Sequence, residues 1–189
     1  MKPIFYVFLF NEFVEWEIAY LLPGLIHSGK ADVVTFSHDG KEVTSSGNLH
    51  IRPDISADEI KIDKNAVLIL PGGYPWERKE ITGMENLIKG FNDKGMAIGA
   101  ICAATTYLAE LGLLDAIPHT SNGLDYLKQT TPDYEGEAYY QNQFAVTADK
   151  IITAAGTGVL EFAKEFFLLT KVFSEKETEE WYKIFKGQE

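Results

Sequence analysis

Residues 94–115 read KGMAIGAICAATTYLAELGLLD and carry Cys102, the one cysteine of the chain. Positions 96–101 (MAIGAI) are continuously apolar, as in a strand buried on both faces of a parallel sheet. From Ala103 to Leu111 the apolar spacing is helical, and no proline or extended loop separates the two patterns, so Cys102 falls at a strand-to-helix switch. Such a position sets a sulfur beside unpaired backbone N–H groups and the positive end of a helix dipole, which lower a thiol pKa and favour thiolate. The small residues Gly99, Ala100, Ala103 and Ala104 are what a sharp, strained nucleophile elbow requires. A lone cysteine in an apolar run is otherwise core filler, and the flanks favour the reactive reading.

The same logic extends in both directions. Residues 3–10 (PIFYVFLF) predict a first buried strand, followed by a helix over Val14 to Ile26 with Asn11 and Glu12 as starters and Gly29 just past its end. Residues 32–37 (DVVTFS) predict a second strand, and the stretch from His38 to Asp54 a β-hairpin with Asp39-Gly40 at its turn. Residues 66–70 (AVLIL) are a third buried strand, ending in PGGYPW, and a helix follows from Glu80 to Asn92. Beyond the elbow, PHTSNGLDYLKQ is a loop entering a helix, EAYYQNQFAVTADKIITA a pair of strands, and two helices span 158–172 and 175–187. This order predicts an α/β sandwich on a mostly parallel sheet, organised as one domain over residues 1–189. Ligands in such sheets sit outside the carboxyl ends of the strands, which here selects the surroundings of Asn11, Pro71 and Cys102.

Composition narrows the function. With 17 Lys and Arg against 28 Asp and Glu, the net charge is −11, and the field repels phosphate backbones and anionic lipid surfaces. No segment approaches the roughly 20 apolar residues of a membrane helix, and a single unpaired cysteine fits a reducing cytoplasm. No metal-ligand cluster, phosphate loop or dinucleotide fingerprint is present, so neither metal nor cofactor is expected.

At the second strand end, LPGGYPWE (70–77) pairs glycines that allow close backbone approach and can aim N–H groups as an oxyanion hole does. Gly73, with the N–H of Ala103 and neighbouring Gly72, is the candidate oxyanion set, and Tyr74 and Trp76 suggest a partly aromatic pocket wall. At the first strand end, Glu15 and Glu17 stand two apart and cannot share one helical face, so at most one aims at the sulfur. Glu15 is expected to be solvated.

Together AIGAICAATTYLAELGLLD, VLILPGGYPWE and the early EWE resemble the ThiJ/PfpI (parkinsonism-associated protein deglycase) family, within the class I glutamine amidotransferase-like superfamily. The resemblance runs from the first strand through the last sheet segment. It implies a flavodoxin-like three-layer α/β/α sandwich, a nucleophile at Cys102, a glutamate at Glu17 hydrogen-bonded to that sulfur, oxyanion N–H groups around Gly73 and Ala103, and a homodimer. Two departures shape the functional expectation. Protease-like members carry a histidine directly after the nucleophile, where this chain has Ala103. Other members place one after a threonine in the segment following the elbow helix, where PHTSN puts His119 before Thr120 and Ser121 in the histidine's place. Reversed neighbours on an extended segment face opposite ways. His119 is thus expected to miss the thiol, as a solvated loop residue, with Ser121 or Asn122 nearer. The terminal His-x-Glu of the amidotransferases is absent too, and Glu161 is expected on a helix rather than in a triad.

Two functions follow. One is a cysteine-nucleophile enzyme acting through Cys102 and Glu17 on a small-molecule substrate, an amide or a reactive α-oxoaldehyde, with a PfpI-type protease disfavoured. The other is a stress-responsive chaperone or redox sensor in which Cys102 is oxidised without turnover.

Overall fold

The computed structural model describes residues 2–188. The chain runs β1 (Ile4–Phe8), a 3-10 turn (Glu15–Glu17), α1 (Leu21–Ser28), β2 (Asp32–Ser37), β3 (Val43–Thr44), β4 (His50–Ile51), β5 (Ile55–Ser56), β6 (Ala66–Leu70) and α2 (Tyr74–Glu77). It continues with α3 (Glu85–Asp93), β7 (Ala97–Ile101), α4 (Ala104–Glu110), α5 (Leu124–Thr130), β8 (Ala145–Ala148), β9 (Ile151–Ala154), α6 (Val159–Thr170) and α7 (Glu175–Lys186).

Seven strands form the central sheet in the order β5-β2-β1-β6-β7-β9-β8, parallel throughout except that β8 runs antiparallel to β9. α1 and α6 pack on the sheet with α7 behind α6, while α3 and α4 cover β6 and β7 and carry α2 and α5. This is the flavodoxin-like α/β sandwich. β6 and β7 are buried at every residue because helices cover both faces, which is why their sequences are unbroken apolar runs rather than alternating ones. From β1 the chain goes to β2 on one side and later to β6 and β7 on the other. The strand order therefore reverses beside β1, and the crevice such a reversal opens lies at the ends of β1, β6 and β7.

Three boundaries differ from the sequence pattern, each for a tertiary reason. The helix expected from Val14 begins only at Leu21. Glu12 has φ 67 and the N–H of Val14 donates to the Gly72 carbonyl at 3.0 Å, so this segment is tied across the sheet end instead of winding. The expected helix from Glu80 starts at Glu85, after left-handed residues at Lys79 and Gly83. The hairpin exists as Val43 paired with Ile51, but it reverses at Ser45–Leu49, where Ser45 N–H donates to Leu49 at 2.9 Å. Asp39-Gly40 instead leads out of β2.

Packing also reassigns one glycine. A Cβ on Gly99 would lie 2.2 Å from the Phe166 ring of α6, so its smallness admits that ring rather than easing the elbow. At the other end of the core, Trp181 packs on Phe167 at 4.9 Å between ring centroids, and Phe185 packs on Tyr20 at 5.1 Å. The aromatic stripe of α7 thus covers its own α1 and α6. No helix among the described residues is long and apolar enough to cross a membrane.

Candidate active site

Cys102 sits between β7 and α4 with φ 57, a left-handed conformation that costs a non-glycine residue roughly 1 kcal/mol or more. Local bonds hold it there. Its N–H donates to the Ala154 carbonyl at 2.9 Å, tying the elbow to β9. Its carbonyl accepts from the Thr105 hydroxyl at 2.6 Å, and the Thr105 and Ser121 hydroxyls lie 2.6 Å apart. Ser121 therefore braces the turn from behind.

Glu17 comes to the same place from the 3-10 turn, which buries it at 2 % exposure and leaves Trp16 outside at 56 %. Gly72 shows how closely the two side chains meet. A Cβ on Gly72 would lie 2.7 Å from both the Cys102 Cβ and Glu17 Oε2, so only glycine fits between them. The Gly72 N–H donates to Glu17 Oε2 at 2.5 Å, which takes it out of the expected oxyanion set. Glu15 is half-buried rather than solvated; its carboxylate accepts from the Ser46 hydroxyl at 3.0 Å and the Gly47 N–H at 3.2 Å, holding the β3–β4 turn.

Burial pushes the Glu17 carboxyl up to about 7, against the lowering from the Gly72 N–H and from the thiol facing it. Burial and the facing Glu17 carboxylate push the Cys102 thiol up to about 12, outweighing the Asn122 amide and the Ala103 N–H. This corrects the expectation of a lowered thiol pKa: α4 is only seven residues long, and desolvation dominates. Between these two values the pair holds one proton, with the thiol as donor and Glu17 as acceptor.

Asn122 supplies the remaining contact. Its Oδ1 accepts the Gly156 N–H at 2.8 Å, which turns its Nδ2 toward Cys102 Sγ at 3.2 Å. The N–H of Gly73 has no protein acceptor among the described residues, and that of Ala103 lies against the sulfur.

The other expected pocket residues lie elsewhere. His119 is not a solvated loop residue but fully buried; its ring bonds the Ile117 carbonyl at 2.7 Å and the Tyr134 hydroxyl at 2.5 Å, and burial lowers its pKa. It makes no hydrogen bond to Cys102. Thr120 turns into the sheet, its hydroxyl donating to the Gln143 carbonyl at 2.8 Å. Trp76 is a core residue, packed on Tyr107 at 4.9 Å between the centroids of tilted rings with its ring N–H on the Pro71 carbonyl, while Tyr74 is an exposed rim residue. Glu161 lies in the first turn of α6, bonded to the Tyr182 hydroxyl and the Lys186 ammonium. Sequence reasoning singled out neither Gly156's bond to Asn122 nor Tyr126, whose hydroxyl donates to Glu77 Oε1 at 2.8 Å. Among the described residues no cluster of three His, Cys, Asp or Glu side chains is placed to hold a metal ion.

The sequence model of the DJ-1/PfpI family matches residues 4–168 of this chain. The chain belongs to the DJ-1/PfpI family. A Bacillus subtilis relative named as the uncharacterized protease YoaZ is 36 % identical over 191 residues, covering 97 % of this chain and 90 % of that protein. Among solved structures, a thiJ/pfpI family protein from Bacillus anthracis superposes with a TM-score of 0.93 at 34 % identity, covering 98 % of this chain and 91 % of that one. The DJ-1 superfamily protein Atu0886 from Agrobacterium tumefaciens gives 0.91 at 32 % identity, covering 98 % of both chains. The family match runs from β1 into α6, and so includes the elbow, the Gly72-Gly73 loop and the turn bearing Glu17.

Proposed function

We propose that this DJ-1/PfpI protein is an enzyme in which Cys102 attacks the carbonyl carbon of a small amide or a reactive α-oxoaldehyde, with Glu17 as the proton carrier. The observation that carries this reading is the meeting of the strained Cys102 with the buried Glu17 across Gly72, which leaves thiol and carboxylate sharing one proton. As Sγ bonds to the carbonyl carbon, its proton passes to Glu17, whose pKa of about 7 suits a base working near neutrality. The carbonyl oxygen gains the negative charge and rests on the N–H groups of Gly73 and Ala103. With an amide, Glu17 returns the proton to the departing nitrogen, a thioester forms, and water activated by the same carboxylate releases the acid. With an oxoaldehyde, the adduct is a thiohemiacetal.

A protease of the histidine-assisted type is not supported, although two Bacillus subtilis relatives are named as uncharacterized proteases. Ala103 follows the nucleophile, and the His119 ring is held by Ile117 and Tyr134. A redox sensor calls for a low-pKa thiol, whereas burial here pushes Cys102 the other way. Action in the cytoplasm and assembly as a homodimer belong to the same proposal, the latter checked by sedimentation velocity. The deciding experiment screens small amides and methylglyoxal with wild type and Cys102→Ser side by side. Turnover lost in Cys102→Ser is the expected result; turnover that survives in it overturns the reading.

A further inference from the structure

Glu77 and Tyr126 take no part in the proton transfer above, yet the fold brings them beside Asn122, the neighbour of Cys102. Glu77 closes α2, directly after the Gly72-Gly73 loop, and Tyr126 lies in the first turn of α5. Both are half-buried, and the Tyr126 hydroxyl donates to Glu77 Oε1 at 2.8 Å. Tyr126 also lies beside the Asn122 amide, which reaches Cys102 Sγ at 3.2 Å. Two hydrogen bonds, Asn122 to the sulfur and Tyr126 to the Glu77 carboxylate, thus lie side by side.

The nearby cations are engaged elsewhere. Arg78 is held by Glu12 at 2.9 Å and Glu80 at 2.8 Å, and Lys79 by Glu110 at 2.9 Å. Among the described residues, no lysine, arginine or histidine side chain hydrogen-bonds or ion-pairs with Cys102, Glu17, Glu77, Asn122 or Tyr126. The surroundings of Cys102 thus combine neutral donors, for a carbonyl oxygen, with two acidic groups. A ligand bearing a second carboxylate meets like charge in a partly desolvated site, and such juxtaposition discriminates strongly between partners.

We propose that Glu77, anchored by Tyr126, is a specificity-determining residue that restricts the site to carbonyl compounds that are neutral or carry a cationic amino group, and turns away those bearing a carboxylate. The proposal rests on the reading of Cys102 as the nucleophile, so its test includes an arm that needs no turnover.

In that arm, Cys102 is alkylated with neutral iodoacetamide and with anionic iodoacetate, and the rate ratio is followed by intact mass in wild type, Glu77→Gln and Tyr126→Phe. The same ratio measured on a small free thiol gives the intrinsic preference between the two reagents, and thermal unfolding confirms that each variant is folded. The expected result is that wild type prefers iodoacetamide more strongly than the free thiol does, with this preference reduced about tenfold in Glu77→Gln and partly in Tyr126→Phe. An unchanged ratio in folded Glu77→Gln overturns the proposal. The second arm compares turnover of methylglyoxal with that of glyoxylate. A ratio that shifts in alkylation when wild type turns over neither compound means that the charge filter stands and the enzymatic reading fails. Cys102-dependent turnover whose preference is unmoved by Glu77→Gln means the reverse.

Discussion

Asn122 Nδ2 lies 3.2 Å from Cys102 Sγ because the opposite end of the same amide is fixed by the Gly156 N–H at 2.8 Å. The amide cannot rotate its oxygen toward the sulfur without abandoning that donor. Asn122 is therefore a neutral donor to the sulfur, unable to take the thiol proton, which in the proposed reaction goes to Glu17. Asn122→Asp keeps an acceptor for Gly156 but replaces the donor with a negative charge. Iodoacetamide alkylation of Cys102 at pH 8 is expected to slow by about tenfold in Asn122→Asp and by less in Asn122→Ala. Equal rates in both variants would show that the contact does not act on the sulfur.

The Glu17 pair predicts a pH dependence of activity. If Glu17 receives the thiol proton, kcat/KM rises with pH and levels above about 7, the value to which burial brings the carboxyl. Glu17→Gln is expected to remove that limb and lower kcat/KM by about 10²–10⁴. A limb that persists in the variant assigns the titration to another group.

Stability is predicted to move the opposite way. The folded-state pKa of Glu17 is raised from 4.5 to about 7, so its neutral form favours the folded state. That contribution is full below pH 4.5 and is lost as pH rises through about 7. The loss is on the order of 3 kcal/mol. Urea unfolding of Glu17→Gln is expected to show a flatter profile between pH 5 and 8, with the variant more stable than wild type at pH 8.

Gly72→Ala is expected to separate the pair. Its Cβ would fall 2.7 Å from the Cys102 Cβ, whose backbone is tied to Ala154, and from Glu17 Oε2, which is buried. Overpacking of this kind costs about 1–3 kcal/mol. Cys102 reactivity should be lost in a protein that still folds, as read by alkylation and by unfolding on one preparation.

His119 is predicted to matter for stability and not for chemistry. Tyr134→Phe leaves the buried His119 Nε2 without its partner, at a cost of about 1–3 kcal/mol. Because burial lowers the His119 pKa, its contribution is present above the ordinary histidine range and is lost as pH falls below it. Unfolding measurements on Tyr134→Phe should show the loss, while the rate of Cys102 alkylation stays at the wild-type value.

The parallel sheet and the elbow were legible in the chain alone. Unbroken apolar runs at 66–70 and 96–101 are written into it because burial on both faces admits no polar residue, and the switch at Cys102 follows from two adjacent periodicities. The order of His119 and Thr120 likewise showed that the histidine would face away from the sulfur, since alternation along an extended segment is a local property. Where that ring went was not local: its partners Ile117 and Tyr134 bury it, and only the folded chain brings Tyr134 there. The same holds for the site's electrostatics. A strand-to-helix switch suggests a lowered thiol pKa, but the outcome depends on how deeply Glu17 and Cys102 are buried against each other across Gly72, segments 55 and 30 residues apart in the chain. Desolvation is a sum over all the atoms that exclude water, and no short stretch of sequence contains that sum.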